Sequence, residues 1–330
     1  MPSSEPSGPG VSREADDPRL FVAASVSPEA GAILRMIGAM IAAMPPQPIP
    51  VSQEEFDAAA SQAAAWAETM IAAPLAKLSP TLSAWDAGGV PVLSITPQDA
   101  KVGATSLVYI HGGGFATGSA QSSRLTATLA AASTGRVVHS IDYTLSPRAD
   151  HRAILDEIVA AWTAIIDWEG HVPGLFGDSA GGCIAAAATL LLRDRGETVP
   201  AALALLSPVV DLASEGDTNQ TLASVDYLDR NRLEMGVRGY AAPADWRSPL
   251  ASPIHGDFTD FPPTLIQVGT RELLLSDSVR LHRALRAAGR SSRLEVFEGM
   301  PHVFQPLLAD TPEGVAAWAD MAAFWQEHLA

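Results

Sequence analysis

The chain has 330 residues, 47% apolar and 18% charged, with a formal net charge of −16. That length and composition exclude a disordered chain, and the charge excludes partners that need clustered Lys and Arg, nucleic acid and anionic membrane among them. A single cysteine, Cys183, excludes an intrachain disulfide framework and a thiolate metal cluster.

Residues 1–18 are rich in Ser, Pro, Gly and acid and lack the basic and apolar regions of a secretory signal, so they read as a mobile tail on a cytoplasmic protein. No stretch approaches the roughly 20 uninterrupted apolar residues of a membrane span. The nearest, residues 30–44, contains Arg35 and runs into Pro45-Pro46, which suits an amphipathic helix packed on the body. Two helices are predicted, over residues 29–44 and 52–73, the second opened by Ser52 with Glu55 three positions on as a capping box. Two short strands follow, 78–84 and 90–96, around the turn Asp86-Ala87-Gly88-Gly89.

From Thr105 the pattern changes to strands alternating with helices. Strands are predicted at 106–110, 136–141, 172–176, 201–206, 264–268 and 294–297, and helices at 122–133, 150–168, 277–288 and 313–329. Such units give a mostly parallel sheet covered on both faces, with the active site at the carboxyl ends of the strands. Residues 211–248 supply no core strand, and with the N-terminal helices they are expected to form a cap. The domain reading is therefore a tail at 1–18, cap helices at 19–75, core at 76–210, a cap insertion at 211–248 and core again at 249–330.

The chemistry centres on Gly177-Asp178-Ser179-Ala180-Gly181-Gly182, between an apolar strand and an alanine-rich helix. A Ser on so tight a turn has neighbours two residues away that nearly collide, so Gly177 and Gly181 leave room where a Cβ would clash. The hydroxyl of Ser179 stands exposed, and the amide of Ala180 at the helix N-terminus is available to a developing oxyanion. His111-Gly112-Gly113-Gly114 follows another strand, and its successive glycines turn backbone amides toward a ligand. Among eight histidines, His302 has the right address for the base, just past the strand at 294–297 and on the same sheet edge as Ser179. Glu272, in the turn Gly269-Thr270-Arg271-Glu272 after the preceding strand, is the acid that would orient it. Asp277 is its rival, but falls at the next helix, where N-capping explains it. Cys183 reads as a small buried helix residue.

These segments, with Asp142-Tyr143, Leu145-Ser146-Pro147 and Ser207-Pro208-Val209-Val210-Asp211-Leu212, resemble the hormone-sensitive-lipase-like branch of α/β-hydrolases, the bacterial family IV carboxylesterases. The resemblance runs from about Leu78 to the C-terminus. It implies an α/β fold with a core sheet of eight strands and a helical cap, an oxyanion hole from the amides of Gly113, Gly114 and Ala180, and a homodimer through the last strand and helix as a common arrangement. It implies no metal and no organic cofactor. Two departures stand out: Glu272-Leu273 where the family usually has Asp and often Pro, and Arg148-Ala149-Asp150-His151 after Pro147. The segment from Glu272 to Asp277 is similar to the subset that includes monoterpene ε-lactone hydrolases.

The expected activity is hydrolysis of short-to-medium-chain carboxylic esters through Ser179, Glu272 and His302. Lactone hydrolysis is the alternative. A non-catalytic ligand-binding homologue is disfavoured because all three residues are present. Phe115, Asp178, Trp85, Trp246 and Phe304 are candidates for substrate contacts, each of the aromatics standing equally well as core or cap packing.

Overall fold

The computed structural model describes residues 17–44 and 48–329. The tail expected over residues 1–18 therefore lies almost wholly outside the described residues, as do Pro45 and Pro46. Pro18–Leu20 forms a 3-10 turn capped by Asp17.

Helix α1 (Pro28–Ala43) is capped by Ser27, and α2 (Gln53–Leu78) opens with the expected capping box. Ser52 Oγ accepts the Glu55 amide at 3.3 Å, and Glu55 accepts the Ser52 amide at 3.1 Å. Helix α2 does not stop at Ala73 as predicted but runs on through Pro74 to Leu78. Proline removes one donor, a loss tolerated on a helix that lies largely at the surface, with Ile71 its one buried residue. The first strand is displaced accordingly: β1 is Thr81–Ala87, hairpinned to β2 (Val90–Thr96) through Gly88 and Gly89, both at positive φ.

The alternation that follows is β3 (Leu107–Ile110), α3 (Arg124–Thr134), β4 (Val138–Ile141), α4 (His151–Glu169), β5 (Gly174–Asp178), α5 (Ala180–Asp194) and β6 (Leu203–Leu206). Then come α6 (Thr218–Thr221), α7 (Arg230–Tyr240), β7 (Thr264–Gly269), α8 (Leu275–Ala287), β8 (Ser292–Phe297), α9 (Phe304–Leu307) and α10 (Pro312–His328). The eight strands form one sheet in the order β1-β2-β4-β3-β5-β6-β7-β8. It is antiparallel across β1, β2 and β4 and parallel from β4 to β8, the mostly parallel architecture expected.

Strands β3 to β7 are buried at every position because helices cover both faces, so their sequences read as continuous apolar runs instead of alternating ones. Successive residues serve different cores. Val108, Ile110, Leu175, Leu203 and Leu205 join the core under α4, α5 and α8, while Leu107, Tyr109, Phe176, Ala204 and Leu206 join the one under α3 and α10. A third cluster packs Ala30 and Leu34 of α1 on Met300, Phe304 and Leu308, fixing the N-terminal helix beside the chain that leaves β8. No helix among the described residues is long and apolar enough to cross a membrane.

Candidate active site

Ser179 sits between β5 and α5 with φ 53° and ψ −118°, a strained conformation that lifts its side chain off the end of the strand. The glycines around it are required by close backbone approach. A Cβ on Gly177 would lie 2.5 Å from the carbonyl oxygen of Gly181, and one on Gly181 would overlap the carbonyl of Ile110. The elbow is thus wedged against β3, which carries the second glycine loop.

His302 Nε2 lies 3.0 Å from Ser179 Oγ, and His302 Nδ1 lies 3.0 Å from Glu272 Oε2. Glu272 is fully buried. Its other oxygen accepts the Gly269 amide at 2.5 Å and the Ser207 hydroxyl at 2.9 Å, so the longer acid reaches His302 from a turn that satisfies both its oxygens. Burial alone would push the His302 imidazole down, but the hydrogen bond and charge of Glu272, helped by Asp226 and Asp178, outweigh it and hold it above its ordinary value.

Asp277, the rival acid, is not an N-cap. It lies inside the first turn of α8 and accepts the amides of Val210 at 2.9 Å and Asp211 at 3.2 Å, with Asn219 Nδ2 at 3.1 Å on its other oxygen. Two of the other histidines have partners elsewhere: His139 is held by Ser94 and Glu169, and His282 by Ser292. Cys183 is buried, with Sγ against the Ala251 carbonyl at 3.3 Å, and burial pushes its thiol up.

The glycine loop after β3 faces the serine. Gly113 and Gly114 have φ of 114° and 59°. Their amides, and that of Ala180, donate no hydrogen bond to the described residues, whereas the Gly112 amide donates to Asp178 Oδ1 at 3.1 Å. Tyr109 Oη donates to the same carboxylate, and Tyr143 Oη donates to the His111 carbonyl at 3.0 Å. Burial raises the carboxyl of Asp178, and the Tyr109 hydroxyl and Gly112 amide pull it part of the way back. Asp178 therefore touches the cavity while its carboxylate is committed to holding the loop.

Ser179, Asp178, Gly113, Gly114 and His302 open into a cavity of about 370 Å³. Its far walls are Pro50, Phe56, Ala59 and Ala63 at and on α2, and Leu228, Leu233 and Met235 at and on α7. The four aromatic candidates do not line it. Phe115 turns away at φ 66° and stacks on Tyr240 with ring centroids 4.0 Å apart, leaving Gly114 and Ala116 at the surface. Trp85 is on the edge strand β1, bonded to Ser94 Oγ and packed on Trp168. Trp246 is bonded to the Ala241 carbonyl under Arg238, and Phe304 packs on Phe297 in the cluster beneath α1. Each found an apolar neighbour away from the cavity, and composition carries no direction.

Two contributors escaped the sequence. Ser207 Oγ donates to Glu272 and accepts the Val303 amide at 3.2 Å, tying the acid to the residue after His302. The signal was its place at the carboxyl end of β6. Gly236 of α7 packs so closely that a Cβ would overlap the carbonyl of Gly114. A glycine isolated in a helical pattern was the cue. Among the described residues no group of three or more His, Cys, Asp or Glu is placed to hold a metal ion.

A serine on a strand-to-helix elbow, at the carboxyl edge of a sheet covered on both faces, defines a class, and residues 107–306 match the family described as alpha/beta hydrolase fold. The chain belongs to that family, in its hormone-sensitive-lipase-like branch of carboxylesterases. It is 38% identical to an acetyl-hydrolase of Streptomyces hygroscopicus over 231 residues, covering 69% of this chain and 77% of the relative. It is 33% identical to an esterase of Acinetobacter venetianus over 234 residues, covering 68% and 76%. A crystal structure of an esterase from the bacterial hormone-sensitive lipase family superposes with a TM-score of 0.82 at 31% identity, over 92% of this chain and 99% of that one.

Proposed function

We propose that the chain hydrolyses short-to-medium-chain carboxylic esters through an acyl-enzyme on Ser179, with His302 as base and acid and Glu272 as its orienting carboxylate. The observation that carries this reading is the unbroken relay of two 3.0 Å contacts, Ser179 to His302 to Glu272, opening into the cavity. His302 Nε2 takes the proton as Ser179 Oγ attacks the ester carbonyl. The amides of Gly113, Gly114 and Ala180 then have only the oxyanion to bond, and removing one such donor costs about 10²–10³ in turnover elsewhere. His302 next protonates the leaving alcohol, and water repeats the sequence on the acyl-enzyme.

Residues 19–75 and 211–248 act as the cap over a core of 76–210 and 249–330, since α2 and α7 supply the apolar walls. A cavity of about 370 Å³ suits a small acyl group better than a long lipid chain. The test compares p-nitrophenyl butyrate with ε-caprolactone for the wild type and Ser179→Ala. Turnover of the acyclic ester, lost about 10⁴-fold or more in Ser179→Ala, is the expected result. A clear preference for the lactone would redirect the substrate class, and activity that survives Ser179→Ala, or ligand binding with no turnover, would overturn the mechanism.

A further inference from the structure

Three consecutive residues between α6 and α7 join parts of the molecule that the catalytic reading treats separately. Tyr227 Oη donates to the Leu34 carbonyl of α1 at 2.8 Å, and Leu228 lines the cavity. Asp226, only 3% exposed, accepts the Leu273 amide on Oδ2 at 2.8 Å and the Leu228 amide on Oδ1 at 3.1 Å. Leu273 is the residue after Glu272. One carboxylate thus clamps the turn that carries the triad acid to the wall of the cavity.

A neutral acceptor could anchor a loop, and burying an anion near a second carboxylate is unfavourable. The groups that face Asp226 explain why a charge is kept there. Glu272 and Arg271 lie on the turn, His302 on the chain after β8, and Tyr227 on its own segment. Glu272 repels it and His302 attracts it, while the Arg271 guanidinium is engaged by the Pro18 carbonyl at 2.7 Å and the ring of Phe21.

We propose that Asp226 is a positioning residue of the triad: it holds the Leu273 amide, and so Glu272, where His302 needs it, and its charge favours the imidazolium formed when Ser179 gives up its proton. This rests on the reading of Ser179, His302 and Glu272 given above. Burial pushes the Asp226 carboxyl up to about 6, and the charge of Asp226 adds to that of Glu272 in holding His302 above its ordinary value. The two titrations report on one coupled pair.

The test is Asp226→Asn, nearly isosteric, with one carbonyl oxygen for two amides and no charge. On p-nitrophenyl butyrate kcat falls about tenfold with KM within about twofold. Because the anion that favoured the imidazolium is gone, His302 sheds its proton more readily, and the rising limb of kcat/KM moves to lower pH by about half a unit or more. A rising limb that stays in place in a folded Asp226→Asn overturns the proposal. Should that variant fail to fold by circular dichroism, Asp226→Glu decides: it keeps the charge but shifts the carboxylate by a methylene, so kcat falls while the limb stays, and full kcat overturns the proposal. Activity that survives in Ser179→Ala would instead locate the failure in the triad reading.

Discussion

At Ser207 and Val303 the backbone takes φ of 47°, an uncommon conformation for any residue but glycine and a costly one for a β-branched valine. Both lie beside the proposed triad and touch through one hydrogen bond, Val303 N to Ser207 Oγ. That hydroxyl has its proton on Glu272, so it sets both the acid and the chain that presents His302. Ser207→Ala leaves the Val303 amide without a partner and Glu272 one donor short. We expect kcat to fall about ten- to hundredfold with KM little changed, read by steady-state kinetics on p-nitrophenyl butyrate. The three residues proposed to react were legible, because the glycines flanking Ser179 and the strand ends preceding Glu272 and His302 are local features. Ser207 was quoted as part of a motif but its role was hidden, since its partners are 65 and 96 positions away.

At the element scale, the approach of α7 to the glycine loop decides the shape of the site. Gly236 lets the helix backbone come against Gly114, whose own amide is one of the proposed oxyanion donors. A methyl at this position meets backbone, which cannot rotate away as a side chain would. Gly236→Ala should therefore cost about 1–3 kcal/mol in chemical denaturation through overpacking, despite alanine's higher helix propensity. It should also lower kcat/KM by displacing the loop, and an unchanged kcat/KM would show that α7 yields instead. The types and order of the core elements could be read from periodicity, whereas α7 was covered only by the expectation of a cap over residues 211–248, and the end of α2 was misjudged because Pro74 is a breaker only where the lost bond cannot be replaced.

At the scale of the whole molecule, Asp277 ties α8 to the chain leaving β6 and to Asn219, holding segments 58 to 67 residues apart. Burial pushes its carboxyl from 3.8 up to about 7. Since the folded value lies above the unfolded one, its contribution to stability is complete below about pH 3.8 and is lost as pH rises through 7. Asp277→Asn removes that loss: the amide oxygen still accepts from Val210 and Asp211, and the Asn219 amide flips to receive the new N–H. The variant should become more stable than the wild type progressively from pH 4 to pH 7 and level off at a gain on the order of 4 kcal/mol, measured by urea denaturation across pH. A pH-independent difference would mean that this carboxyl does not titrate with folding.

By itself the sequence determined the alternating α/β architecture and pointed to the strand-end positions of Ser179, Glu272 and His302, because each depends on periodicity or on residues a few positions apart, while the single sheet of eight strands was what the family resemblance implied. Only the tertiary structure decided which surfaces enclose the cavity. Trp85, Phe115, Trp246 and Phe304 are apolar and could each have faced a substrate, but a side chain's direction follows from its neighbours in space, and all four were taken into packing elsewhere. The same reason kept Gly236, Ser207 and Asp226 silent: what each does is set by a backbone group brought beside it from a distant part of the chain.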